Sequence, residues 1–263
     1  MDAYSPREIA QRVENMGVAK ARTGTAELFV LAVLAGAFIS LGALFFTVAV
    51  TDAGTGYGLQ RLLGGLSFSL GLILVVVGGA ELFTGNNLLA MAWSSGLIRT
   101  IEVLRNWVIV YVGNFVGSLG TALLVYVSGV HELAGGGVGE TAVGIAIGKA
   151  DLPLIEAFAR GVLCNTLVCL AVWLAMGGRN VTDKVLAIVF PITAFVAIGF
   201  EHSIANMFFL PFGMLLDPTG AVSLGGAVAN VLAVTAGNIL GGTVLVALVY
   251  WAAYLRGSRS AQS

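Results

Sequence analysis

The apolar positions of this chain gather into long runs separated by short clusters of charge. Charged residues divide it into stretches at 28–51, 62–98, 106–130, 161–178, 185–216 and 218–255. A helix rises about 1.5 Å per residue, so about 20 apolar residues cross a hydrocarbon core of about 30 Å. The first, third, fourth and last stretches each predict one spanning helix. The second and fifth hold 37 and 32 residues. As unbroken helices they would reach about 55 and 48 Å, too long for one crossing. Each carries a glutamate near its middle, followed by helix-weakening residues: Thr84-Gly85-Asn86 after Glu81, and Ser203 to Asn206 after Glu201. Both are read as one span broken into two half-helices around a non-helical loop. Such backbone is tolerated at membrane depth only where protein buries it or it lines a cavity.

The pattern repeats. Gly-x-Glu-x-x-x-x-Asn occurs at Gly79–Asn86 and again at Gly199–Asn206, 120 residues later. The third span contains GNFVG (Gly113–Gly117) and the sixth GNILG (Gly237–Gly241). Spans 1–3 therefore match spans 4–6 in order, and three spans per unit force the second unit upside down. The predicted fold is an all-α membrane protein with six transmembrane helices in an inverted 3+3 repeat, spans 2 and 5 broken. Its site is expected at the midplane, where the broken helices meet. The Gly-x-x-x-Gly spacings are read as close helix packing. The channel domain is placed at 28–256, with repeat units at about 28–130 and 155–256 and a tail at 257–263. Residues 1–27 form an amphipathic segment: Pro6 suits a first helical turn, and Ile9, Val13 and Met16 make an apolar stripe for an interfacial helix. Gly-rich residues 131–151 are expected outside the membrane.

Composition fixes the class. The chain is 58% hydrophobic and 10% charged, with a mean hydropathy of +0.95, against about 25% charge in soluble domains. It is an integral membrane protein, with lipid as one solvent. The net charge of −1 says little about partners because the charges are segregated, and no nucleic-acid partner is expected. Residues 1–27 lack the apolar core of a signal peptide. With the N-terminus inside, ten Lys and Arg fall on the cytoplasmic side, against only Arg61, Lys149 and Arg160 opposite. That bias predicts two cytoplasmic termini. Cys164 and Cys169 make no metal-ligand spacing with a histidine and read as inert core thiols. No metal or cofactor is expected.

An ionisable residue inside a membrane-length run marks a functional site. His202, one of two histidines, adjoins Glu201 and is the membrane-depth group whose unperturbed pKa, about 6.5, suits proton exchange. It either lends a proton to a passing species or stays neutral and donates a hydrogen bond. Thr84 occupies the matching stretch of the first repeat, where a hydroxyl donates without carrying charge; alternatively it caps the second half-helix. Glu81 and Glu201 are expected to scaffold the broken loops by accepting from backbone N–H groups at half-helix ends, with direct proton relay as the alternative. Lys149 either concentrates anions at a mouth or is a solvated surface lysine. Phe68 and Leu72 lie i, i+4 apart and Phe195 two turns before His202, spacings that core packing alone also satisfies.

The strings LFTGNN after Glu81, GFEHSIANMFFLPFGM (Gly199–Met214) and NTLVCLAVWLA in span 4 resemble the formate/nitrite transporter family, over about residues 15–256. GGRNVTDK (Gly177–Lys184) is similar to the SGRxxxDK of its formate-channel branch. The resemblance implies an aquaporin-like fold, a homopentamer with one pore per protomer, and a prokaryotic cytoplasmic (inner) membrane. It also implies a small monovalent anion as cargo: formate first, with acetate or lactate as further candidates. Gly85-Asn86-Asn87 is nearer to nitrite-type members and keeps nitrite or hydrosulfide as the alternative. By the same resemblance Asn165 holds the histidine's orientation; alternatively it makes a simple interhelical hydrogen bond. Phe68, Leu72, Leu82, Phe83, Val168 and Phe195 are implied as apolar constrictions above and below His202. Such collars block hydrated ions yet pass a small neutral or transiently neutralised species.

Other classes fit less well. None of the five prolines forms the Asn-Pro-Ala loop of a water pore. An ammonium transporter needs a second pore histidine, and His131 is expected in a loop outside the membrane. Ser203 adjoins His202 too closely for attack, and no Gly-x-Ser-x-Gly elbow is present, so an enzyme is not expected.

Overall fold

The computed structural model describes residues 3–259, and every regular element among them is helical. Residues 1–2 of the amphipathic segment and 260–263 of the expected tail lie outside the described residues. The chain opens with α1 (Pro6–Arg22), started by a reciprocal cap in which the Ser5 hydroxyl accepts from the Glu8 N–H and the Glu8 carboxylate accepts from the Ser5 N–H. The first unit follows: α2 (Thr25–Val50), α3 (Tyr57–Gly78), the short α4 (Ala90–Ser94) and α5 (Thr100–Val127). The connecting helix α6 (Gly137–Ala150) leads to the second unit: α7 (Leu154–Gly177), α8 (Val181–Ile198), α9 (Ser203–Leu216) and α10 (Leu224–Leu240). A π-helical stretch (Gly241–Leu248) carries α10 into α11 (Val249–Tyr254), and α12 (Arg256–Arg259) follows. Six of these helices, counting Leu224–Tyr254 as one, are long and apolar enough to span a bilayer.

Spans 2 and 5 break in the same way. α3 stops at Gly79 and α8 at Gly199, both left-handed with φ of 78° and 89°, a conformation that costs glycine little and ends a helix. A non-helical loop then leads into a 3₁₀ turn (Gly85–Leu89) and α4, or directly into α9. In the first unit α2 packs on α3 and α5; in the second α7 packs on α8 and α10; and α3 meets α8 at the centre. The two units are thus equivalent in packing as well as in sequence. The glycine pairs serve close approach: a Cβ at Gly117 would strike the Val33 carbonyl of α2, and one at Gly241 the Val162 carbonyl of α7.

Two segments carry packing that the sequence alone did not specify. The Gly-rich stretch 131–151 contains α6, which buries Ala142 and Ala146 against α9. Its small residues let it lie close, so it is a packed element and not a free loop. The stripe of α1 docks on the protein itself: Ile9 and Val13 are buried in a cluster with Leu88, Met91 and Trp173. Its start is clamped, with the Tyr4 ring between the guanidinium groups of Arg12 and Arg179 at 4.1 and 4.0 Å.

Candidate functional site

The second halves of both broken spans begin at the centre of the molecule. His202 is the N-cap of α9, and its Nδ1 accepts from the Ala205 N–H at 3.1 Å. Thr84 immediately precedes the 3₁₀ turn of the other loop but makes no side-chain cap. Instead its Oγ1 lies 3.0 Å from His202 Nε2. Both residues are buried. Because Nδ1 accepts, the ring proton of a neutral imidazole sits on Nε2 and is donated to Thr84. The partially positive ends of two half-helices converge on this contact.

Two asparagines hold the loops. Asn114 Oδ1 accepts from the Phe83 N–H at 2.9 Å, while its Nδ2 donates to the Glu81 carbonyl at 2.9 Å and the Ala32 carbonyl at 2.7 Å. Asn238 does the same in the other unit: Ser203 N–H at 2.9 Å, Glu201 carbonyl at 3.1 Å, Gly161 carbonyl at 2.8 Å. The Glu81 and Glu201 N–H groups are taken by the Leu31 and Arg160 carbonyls. These backbone groups of both breaks are therefore satisfied inside protein, as a dry environment demands. Asn114 and Asn238 are the asparagines of GNFVG and GNILG. Sequence reading credited those motifs to glycine alone; the signal was the asparagine repeated between them.

The carboxylates are the main correction to the sequence-based expectation. Neither accepts from loop backbone; both accept from side chains instead. Glu81 pairs with Lys20 at 2.8 Å and accepts from Asn86 Nδ2 at 2.7 Å. Glu201 pairs with Lys149 at 2.9 Å and accepts from Asn206 Nδ2 at 2.7 Å. Each asparagine reaches a further one, Asn106 at 2.9 Å or Asn230 at 2.8 Å. These in turn donate to the Lys20 and Lys149 backbone carbonyls. Lys149 is accordingly not a solvated lysine: its side chain is 15% exposed, and that of Lys20 is 19% exposed. Both lysines come from outside the three-span units, on α1 and α6.

Asn165 is also placed differently from what the resemblance implied. Its Nδ2 reaches the Asn238 carbonyl at 2.7 Å, the Thr84 carbonyl at 3.2 Å and Asn87 Oδ1 at 3.2 Å. None of its hydrogen bonds goes to His202, whose ring is set by Ala205 and Thr84. Asn165 instead ties the first loop to α10. Cys169, beside it, donates to the Thr84 carbonyl at 3.4 Å.

A cavity of about 240 Å³ lies on each side of the contact. One is bordered by His202, Phe195, Phe68, Glu201, Lys149 and Arg61. Phe68 and Phe195 meet edge to face at 5.6 Å, and Phe195 stacks on the imidazole at 6.1 Å. The other is bordered by Leu72, Leu82, Gly85, Glu81, Lys20 and Lys184. Phe83 and Val168 border neither. The Phe83 ring packs on Tyr111 at 4.9 Å and Trp107 at 6.1 Å, and Val168 is core. His131 stacks on Tyr126 between α5 and α6, away from both. Among the described residues no group of three or more His, Cys, Asp or Glu could hold a metal.

Comparison with known proteins places this architecture. The family model described as Formate/nitrite transporter matches residues 7–252. The formate channel FocA of Escherichia coli K12 is 42% identical over 97% of this chain and 96% of its own length. FocA of Haemophilus influenzae is 40% identical over 93% and 92%. Among solved structures, a pentameric formate channel with formate bound superposes with a TM-score of 0.82 at 39% identity, covering 88% of this chain and 98% of the other. An FNT family ion channel superposes at 0.86 and 31% identity, covering 94% and 98%.

Proposed function

The chain belongs to the formate/nitrite transporter family, and from that premise we propose that it is a formate channel, acting as a homopentamer in a prokaryotic cytoplasmic membrane. Both termini, α1 and the Lys20 cavity then face the cytoplasm, and the Lys149 cavity faces outward. The observation that carries the reading is the buried Thr84–His202 contact, with a cavity on either side. Relatives that are formate channels, one of them pentameric with formate bound, support the cargo and the assembly.

The mechanism follows from the cost of drying an anion. An unpaired carboxylate loses several kcal/mol or more on leaving water, so the narrow region must return that interaction. Phe68 and Phe195 on one side, and Leu72 and Leu82 on the other, form collars that exclude a water file. Phe83 and Val168 back them from the core. Between the collars the Thr84 hydroxyl and the His202 Nε2–H turn toward the anion, and the half-helix ends add partial positive charge. Formate titrates near about pH 4, so proton transfer at neutral pH needs a cationic ring. That ring would give up the Ala205 N–H···Nδ1 bond, because both nitrogens would then donate. The neutral, Nε2–H-donating histidine is therefore the form the geometry supports. Glu81 and Glu201, charge-balanced by Lys20 and Lys149, hold the loops rather than relay protons.

Asn86 and Asn87, the residues nearer to nitrite-type members, are used structurally: Asn86 in the Glu81–Asn106 chain, Asn87 with the Phe83 carbonyl and Asn165. They give no ground for changing the cargo. Transport rather than catalysis is supported at Ser203, whose buried hydroxyl has no hydrogen-bond partner, so no nucleophile–base pair exists with His202. Proteoliposome uptake tests the reading. Formate should enter faster than nitrite or hydrosulfide at equal concentration, and His202→Phe, which removes the Nε2–H donor, should lower the rate by a similar factor at every pH across pH 5–8. A His202→Phe protein that matches wild type at every pH removes the histidine from the mechanism.

A further inference from the structure

The two cavities are alike in charge but not in how that charge is committed. Each holds one lysine–glutamate pair that cancels: Lys149 with Glu201, and Lys20 with Glu81. Each holds one further base with no carboxylate partner, Arg61 in the first and Lys184 in the second. In the first cavity Arg160 is balanced by Glu156 at 2.9 Å. Arg61 donates Nε to the Ala197 carbonyl at 3.0 Å and Nη2 to the Val196 carbonyl. Its fork is spent on the C-terminal end of α8, where cations cap free carbonyls. Lys184 is different. It is half-buried on the first turn of α8, and its ammonium makes no hydrogen bond or ion pair among the described residues. The neighbouring Asp183 carboxylate is not its partner, because it caps α8 by accepting from the Arg179 and Asn180 N–H groups.

Resting on the channel reading, we infer that Lys184 is the anion-docking residue of the Lys20 cavity. It is the unsatisfied donor and uncompensated charge there, beside the apolar collar of Leu72 and Leu82. An ammonium with three free donors holds a partly hydrated carboxylate before it sheds its remaining water. Arg61 in the opposite cavity is pinned to the α8 carbonyls through Nε and Nη2 and acts there mainly as a fixed field. The two mouths therefore capture anions unequally. The pairs at Lys20 and Lys149 keep the glutamates from cancelling this attraction.

The test is formate flux in membrane vesicles of both orientations, comparing wild type, Lys184→Met and Lys184→Arg. Lys184→Met should raise the half-saturating concentration about threefold or more for anions arriving through the Lys20 cavity, with maximal flux nearly unchanged. The opposite face should be unaffected, and Lys184→Arg should restore the wild-type value. Near an ionic strength of about 1 M, where charges are screened beyond about 3 Å, the difference should vanish. Unchanged half-saturation on both faces, an equal change on both, or an arginine variant that behaves like methionine overturns this inference and leaves the channel intact. Absence of formate flux in the unsubstituted protein overturns the channel reading itself.

Discussion

At the scale of single residues, the centre depends on matching the donors of the two loops to acceptors where water is scarce. Removing the Thr84 hydroxyl in Thr84→Val leaves the His202 Nε2–H without its partner. An unmet buried donor costs about 1–3 kcal/mol. The variant should fold with a lower melting temperature and lose most formate flux, as read by thermal unfolding in detergent and uptake in liposomes. Thr84→Ser keeps the hydroxyl and should keep both. Asn238→Leu is expected to be harsher. It strips the partner from the Ser203 N–H and from two carbonyls, and should lower stability by more than Thr84→Val. Equal melting temperatures for the two variants would contradict the assignment of Asn238 as the holder of its loop.

Among elements, the two helices outside the repeat perform matched tasks. α1 brings Lys20 to one loop and α6 brings Lys149 to the other, each closing a Lys–Glu–Asn–Asn chain. Breaking one member of a buried pair leaves an uncompensated charge and costs about 3–5 kcal/mol. Lys149→Met alone should therefore destabilise strongly, while Lys149→Met with Glu201→Gln should recover much of the loss. If the double variant melts no higher than the single, the pair is not what holds α6 to the loop. The π-helical stretch makes a second prediction. A Cβ at Gly242 would lie 2.5 Å from Asn165 Nδ2 and 2.9 Å from the Asn87 Cβ. Gly242→Leu should displace the first loop and abolish flux even where some protein still folds, a combination that size-exclusion profile and uptake report together.

Over the whole molecule, many large apolar side chains face outward. Large residues such as Phe190, Val127 and Ile155 are three-quarters or so exposed in the single chain, as a lipid solvent allows. If the proposed pentamer forms, native mass spectrometry from detergent should give five copies of the 27.1 kDa chain, with formate flux scaling with protein and not requiring communication between pores. A stable monomer with full flux would remove the pentamer from the proposal while leaving the pore in place.

What the amino-acid order decided alone was the plan. Run lengths longer than one crossing, each with a Gly-x-Glu-x-x-x-x-Asn pattern inside, forced two broken spans, and their spacing of 120 residues imposed two inverted units. Hydrophobic length and helix-breaking are local properties, so they are legible in one dimension. His202 and Thr84 were legible for the same reason, as polar groups where apolar ones belong. The partners were not. Which lysine neutralises which glutamate, that Asn114 and Asn238 rather than the glutamate carboxylates bind the loop backbone, that Asn165 holds a loop and not the histidine, and that Phe83 packs away from both cavities depend on separations of tens of residues. Only the folded chain brings α1 and α6 against the loops. Pairing across such distances is fixed by packing of all the helices at once, which no local pattern records.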